Sequence, residues 1–176
     1  MSLYSYKNFR PTVNESNFIA ENATVIGRTV LGENANIWFQ SVARGDVNEI
    51  SIGDNSNIQD LCMLHVTEAS PLKIGNNVSV GHQVTLHGCE VGDSCLIGMG
   101  STLLDDCSIG EFSLVAAGSV VTPGKKFPPR SMIMGAPAKR ARELTEEEVH
   151  FIGNHYKSYL GYAKEFLDPE VVVKLS

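Results

Sequence analysis

The sequence predicts an all-β solenoid of hexapeptide repeats closed by one C-terminal α-helix, and three observations carry that prediction. An aliphatic residue returns every sixth position, Gly, Asn and Asp pairs punctuate the repeats, and beyond residue 138 the period becomes helical. The aliphatic phase runs Ile19, Val25, Leu31, Ile37 and Ala43, then resumes at Ile52, Ile58 and Leu64. It resumes again at Ile74, Val80 and Leu86 and finishes Val91, Ile97, Leu103, Ile109, Val115, Val121, Phe127 and Ile133. Seventeen of these nineteen sites are Ile, Val or Leu, a six-residue phase that ordinary sheet alternation does not hold. Segments such as GENA, GDNS and GNNV supply turn residues that tolerate positive φ. Each hexad therefore reads as a short strand and a turn, and no hexad buries its own face, so stacking supplies the core.

Four cysteines, Cys62, Cys89, Cys95 and Cys107, occupy the small inward position that other hexads fill with Ala23, Ala35, Ser56, Ser101 or Ser113. Lacking any CxxC spacing, they are expected to pack as small apolar groups rather than to bind zinc or form disulfides. The phase slips three times. Three residues are added between Ala43 and Ile52, four between Leu64 and Ile74, and one is missing between Leu86 and Val91. Insertions in a solenoid are expected to form loops on one side, often the functional one.

After the last hexad, Thr145 with Glu148 forms a capping box, and Val149, Ile152, Tyr156, Tyr159, Ala163 and Phe166 repeat at helical spacing. One amphipathic helix is expected to lie back along the solenoid and end by Pro169. The implied division is a solenoid over residues 1–138 and a helix-and-tail segment over 139–176 packed on it.

The chain has 176 residues, 43% hydrophobic and 19% charged, a composition that argues against disorder. A net charge of −6 argues against a general nucleic-acid binder. Neither a long apolar run nor a basic-then-apolar leader is evident, so a cytoplasmic protein with no membrane partner is expected.

Five histidines occur, and His65, His82 and His87 cluster in the middle hexads. His65 and His87 each follow an inward leucine, Leu64 or Leu86, and should point outward. With three hexads per coil they stack on adjacent rungs about 4.8 Å apart, a spacing suited to two ligands of one metal ion. His82 falls near another edge of the coil, out of reach of that ion within one chain. Symmetric association brings a neighbour's His82 to the pair, and three-fold closure gives a homotrimer with interfacial sites. Three neutral imidazoles with an open fourth position keep a bound water reactive, with its pKa lowered to about 7 on zinc. The competing reading is an ion that only glues subunits, or none. His150 and His155, five apart on the helix, do not share a face and are expected to be solvated.

The hexads together with FQSVARGD, NIQDLCMLH and GHQVTLHGC resemble the gamma-class carbonic anhydrases and their bacterial relatives, left-handed parallel β-helix proteins that form trimers. The likeness covers about residues 10 to 165. It implies that His65 and His87 of one subunit and His82 of the next bind Zn2+, or Fe2+ or Co2+. It further implies that Gln59 orients the attacking hydroxide, that Arg44, Asp46, Asn57 and Asp60 form the interface pocket and help place bicarbonate, and that Tyr159 lines it. Arg44 and Asp46 also read as a structural ion pair between subunits, and Asn57 and Asp60 as turn residues. One departure stands out. Where some family members carry a long acidic loop with a proton-shuttling glutamate, this chain has only VTEASPLK, with Glu68 as its sole acid. Turnover is therefore expected to be slow or to use another proton route.

The function implied is reversible hydration of carbon dioxide to bicarbonate. Acyl transfer from coenzyme A is the alternative, since hexads occur in that class and Lys125, Lys126, Lys139, Arg140 and Arg142 could anchor phosphates. A metal-binding scaffold without turnover is the third reading.

Overall fold

The computed structural model describes residues 2–175. The hexads wind into a parallel β-solenoid with three faces, one short strand of each coil on each face. On the first face Val25, Ala43, Leu64, Leu86, Leu103 and Val121 stack in register. Leu31, Ile52, Ile74, Val91, Ile109 and Phe127 stack on the second. Ile19, Ile37, Ile58, Val80, Ile97, Val115 and Ile133 stack on the third. All but Ile19 and Phe127 are buried; these two are partly buried, one at each end, where a coil has a neighbour on one side only. Thus the six-residue phase is the core itself. The four cysteines are buried and free, filling the small inward sites.

Polar stacking at the turns follows the same register. Asn34, Asn55 and Asn77 all adopt positive φ and join side chain to side chain at 3.1 and 3.0 Å.

The slips take different forms. The residues added after Ala43 do not leave the sheet as a loop. Strand Val42–Ile52 runs unbroken through the first and second faces, and its pairing with Thr24–Leu31 shifts from Gly27↔Gly45 to Thr29↔Ile50. The insertion is a β-bulge, which absorbs extra residues while keeping most ladder bonds. Gly27 permits it: φ is +68°, and a Cβ there would lie 2.4 Å from the Gly45 carbonyl oxygen.

After Ser131–Gly135 the chain reverses, and Ala138–Glu143 pairs with it antiparallel, a strand that the sequence pattern did not announce. Helix Glu146–Leu167 follows, with the capping box formed: Glu148 N–H donates to Thr145 Oγ1 at 3.2 Å, and Thr145 N–H to Glu148 Oε2 at 2.9 Å. Its buried side, including Ile152 and Ala163, covers the third face. There Trp38 and Phe166 pack at 5.1 Å and Trp38 and Tyr159 at 5.5 Å between ring centroids. The helix stops at Leu167, with Asp168 as C-cap ahead of Pro169. Among the described residues no helix is long and apolar enough to cross a membrane.

Candidate metal centre

Side chains on a strand alternate, so an inward Leu64 or Leu86 forces the next residue outward. His65 and His87 are paired in register on consecutive coils, and Arg44 is paired with His65 on the coil before. At this corner, between the first and second faces, the groups form one chain of contacts. The Arg44 guanidinium donates to Asp46 Oδ2, Asp46 Oδ1 lies 3.0 Å from His65 Nε2, and His65 Nδ1 lies 3.1 Å from His87 Nε2. His87 Nδ1 lies 2.5 Å from Asp105 Oδ1. Burial pushes the Asp46 carboxyl up, but hydrogen bonds from Arg44, His65 and the Val47 N–H outweigh it and hold the group below its ordinary value.

An ionised carboxylate only accepts, so the ring nitrogen facing it carries the proton. In the neutral rings this leaves His65 with a lone pair on Nδ1 and His87 with one on Nε2, the two nitrogens that face each other at 3.1 Å. Two lone pairs in that position repel unless a cation or a shared proton lies between them. A metal ion would satisfy both lone pairs, and the donor set fits one: imidazoles each backed by a carboxylate are the usual second-shell arrangement at metal sites.

The same arrangement recurs at the corner between the third and first faces. His82 Nδ1 lies 2.8 Å from Asp60 Oδ2, which leaves Nε2 facing the Tyr159 hydroxyl at 3.5 Å. Burial pushes the Tyr159 phenol up to about 12, with the Asp60 charge adding to it, so the hydroxyl keeps its proton. Gln59 and Asn57 flank the inward Ile58 and are buried. Gln59 Nε2 donates to Asn57 Oδ1 at 3.1 Å, and Asn57 Nδ2 donates to Ser79 Oγ at 2.9 Å. His155 is not solvated as its spacing suggested. It is half-buried, with Nδ1 3.0 Å from Ser79 Oγ, and burial lowers its pKa.

The nine candidate residues thus divide. Arg44, Asp46, His65 and His87 share one corner, and Asn57, Gln59, Asp60, His82 and Tyr159 the other. His82 lies in the turn ahead of strand Thr85–His87 and His87 at that strand's far end, so the two rings stand at opposite ends of the first face. Among the described residues no three His, Cys, Asp or Glu side chains converge within the chain. The cysteines are not an alternative donor set: burial raises the thiols of Cys62 and Cys95 to about 12, which makes them packing groups.

Sequence reasoning missed Asp105, Ser79 and His155. Asp105 sits in an unslipped hexad, LLDDCSI, where an acidic pair reads as turn chemistry. The signal available was positional. Asp105 lies two residues past Leu103, which stacks on Leu86, so it falls on the coil beside His87.

Comparison with known proteins gives the family. Residues 88–123 match the bacterial transferase hexapeptide (six repeats) model. A carbonic anhydrase of Geobacillus kaustophilus is 46% identical over 158 residues, covering 90% of this chain and 87% of that one. The mitochondrial gamma carbonic anhydrase 2 of Arabidopsis thaliana is 41% identical over 160 residues, and the match spans 88% of this chain but only 58% of the plant protein. A crystal structure from Bacillus cereus, provisionally named an acetyltransferase, superposes with a TM-score of 0.92 at 42% identity over 94% of this chain and 96% of that one. With the repeat, the motifs and these relatives in agreement, the chain is a member of the gamma-class carbonic anhydrase-like family of hexapeptide-repeat proteins.

Proposed function

We propose that the protein hydrates carbon dioxide reversibly to bicarbonate and a proton, at metal sites formed between the subunits of a homotrimer. The observation that carries this is the split of three like imidazoles, each with a carboxylate on one nitrogen and its other nitrogen turned away from that carboxylate, into a pair at one corner and a single ring at the next. Neither half is complete alone. Three-fold association joins the pair of one subunit to the single ring of its neighbour and makes three equal sites. The surface between the corners supports self-association: the outer side of the first face carries Met63, Thr85, Thr102 and Val120 in one uncharged column, with Leu61 beside it, and both Leu61 and Met63 are exposed in the single chain.

His65, His87 and a neighbour's His82 would hold the ion, Zn2+ by its preference for nitrogen donors, with Fe2+ or Co2+ also suited to imidazole. When bound, such an ion supplies a hydroxide nucleophile near neutral pH. The remaining roles fall to the chain. Gln59 gives its NH2 group to Asn57, so its carbonyl oxygen is the end free to accept a hydrogen bond from the nucleophile and fix its lone pair. Arg44, held by Asp46, offers a guanidinium for bicarbonate. Asp46, Asp60 and Asp105 keep each imidazole in one tautomer, and the Tyr159 hydroxyl lines the His82 side. The relatives named carbonic anhydrases support the same reaction.

Acyl transfer is favoured by the names of the matched repeat model and of a structural neighbour. The basic residues it would use are partly engaged, Arg140 with Glu143 at 3.8 Å and Arg142 with Glu148 at 2.7 Å.

Subunit complementation tests the proposal. His82→Ala and His87→Ala proteins should each lose metal and carbon dioxide hydration. Mixed trimers refolded from both should regain both properties, because one interface then unites an intact pair with an intact His82. Absence of recovery in verified mixed trimers would refute the interfacial site, and metal recovery without hydration above background would leave a scaffold.

A further inference from the structure

Four polar side chains form a continuous relay from the C-terminal helix into the wall of the solenoid. His155 Nδ1 meets Ser79 Oγ at 3.0 Å, Ser79 Oγ accepts from Asn57 Nδ2 at 2.9 Å, and Asn57 Oδ1 accepts from Gln59 Nε2 at 3.1 Å. Ser79, Asn57 and Gln59 are buried and His155 is half-buried. We infer that His155 and Ser79 are positioning residues that decide which end of the Gln59 amide faces the ligand.

The argument is one of donors and acceptors. Ser79 is fully buried, and its oxygen already accepts from Asn57, so its own proton needs an acceptor. His155 Nδ1 is the partner at hand. That assigns His155 as the neutral imidazole with its proton on Nε2. With Ser79 donating to His155, Asn57 must turn its NH2 group toward Ser79, an orientation that the Val78 carbonyl oxygen also favours at 3.4 Å. The Asn57 oxygen then faces Gln59, which answers with its NH2 group and leaves its carbonyl oxygen outward. Each group has one satisfied choice, and the choice at one end fixes the other.

Protonating His155 turns its Nδ1 into a donor, takes away the acceptor that ends the relay, and frees the Gln59 amide. The setting favours the neutral ring: burial alone lowers its pKa. The groups facing it are Ser79 from the solenoid and, from its own helix, Phe151 and Tyr159, with rings 6.0 and 6.1 Å away. His82 and Asp60 lie behind Tyr159.

This inference rests on the proposed use of Gln59, yet its test needs no carbon dioxide. Nitrogen-15 NMR on the full-length protein, with and without added zinc, should find His155 at neutral pH with Nε2 protonated and Nδ1 bare. The side-chain NH2 signals of Gln59 should shift on acidification with the same midpoint as His155, below 6.5. Ser79→Ala should abolish that shared midpoint. His155→Asn, which keeps an acceptor near the Nδ1 position, should hold the Gln59 signals at their neutral-pH position and remove their pH dependence, whereas His155→Leu should displace them. An Nδ1-protonated tautomer, or Gln59 signals indifferent both to the His155 midpoint and to Ser79→Ala, would overturn the relay. Should Ser79→Ala fail to fold, the wild-type midpoints alone decide it. A coupled relay in a protein that hydrates no carbon dioxide would sink the catalytic reading and spare this one.

Discussion

The two corners that bound the first face present the same unit, an imidazole with a carboxylate behind it, and build it by different means. At the His65–His87 corner the repeat is broken. All three phase slips fall between the first and second faces, Asp46 sits in the resulting bulge, and the partners of one ring come from neighbouring coils. At the His82 corner the six-residue spacing from Ile58 to Leu64 and from Val80 to Leu86 is intact, and the added polar groups, Tyr159 and His155, arrive on the C-terminal helix. A solenoid thus acquires chemistry either by departing from its repeat or by laying a second element over it. The first corner depends on the wall, and the second also depends on the helix staying docked.

That contrast makes predictions of descending size. His87→Ala and His82→Ala should each lower metal affinity by more than about 100-fold, beyond what loss of an orienting residue costs. Equilibrium dialysis against zinc measures it, and a large loss at one corner with none at the other would break the symmetry between them. Asp105→Asn and Asp60→Asn remove the group behind one ring and should each cost about 10- to 100-fold in affinity with little change in thermal stability. Thr145→Ala removes the capping box and should cost ~1 kcal/mol of stability. Because it loosens the helix, it should broaden the NMR signals of Tyr159 and His155 while leaving those of His65 and His87 sharp.

The smallest effect concerns acid. The Asp46 pKa is held below its ordinary 3.8, so its ionised form stabilises the fold fully above that value, and this contribution is lost as pH falls through the lowered folded value. Asp46→Asn should therefore flatten the acid limb of a denaturation series in that window. An unchanged limb would remove Asp46 as a stabilising partner of His65.

How much of this was legible in the sequence follows from which residues obey a period. Leu64 and Leu86 lie in the hexad phase, so the stacking of His65 on His87 could be read directly, as could the inward cysteines and the Thr145–Glu148 cap. Asp105 obeys the same phase but carries no mark of its own, since an acidic turn residue and a carboxylate behind a ligand look alike until the coils are stacked. His155 reads as solvated because helix periodicity places a residue on a face and leaves open what polar group lies opposite; Ser79 is 76 residues away in the chain. The insertion after Ala43 reads as a loop because the sequence shows the count of added residues but not that Gly27 and Gly45 meet on adjacent coils, the close approach that lets a bulge form.

The hairpin formed by Ser131–Gly135 and Ala138–Glu143 has a consequence for the particle as a whole. A coil of parallel strands ends in a row of unsatisfied backbone groups, a template on which another molecule could continue the winding and grow a fibre. By doubling back, residues 138–143 occupy that template on the third face with a strand of opposite polarity. On that face the winding is thereby terminated by the chain's own geometry, which leaves no parallel edge for a second molecule to extend.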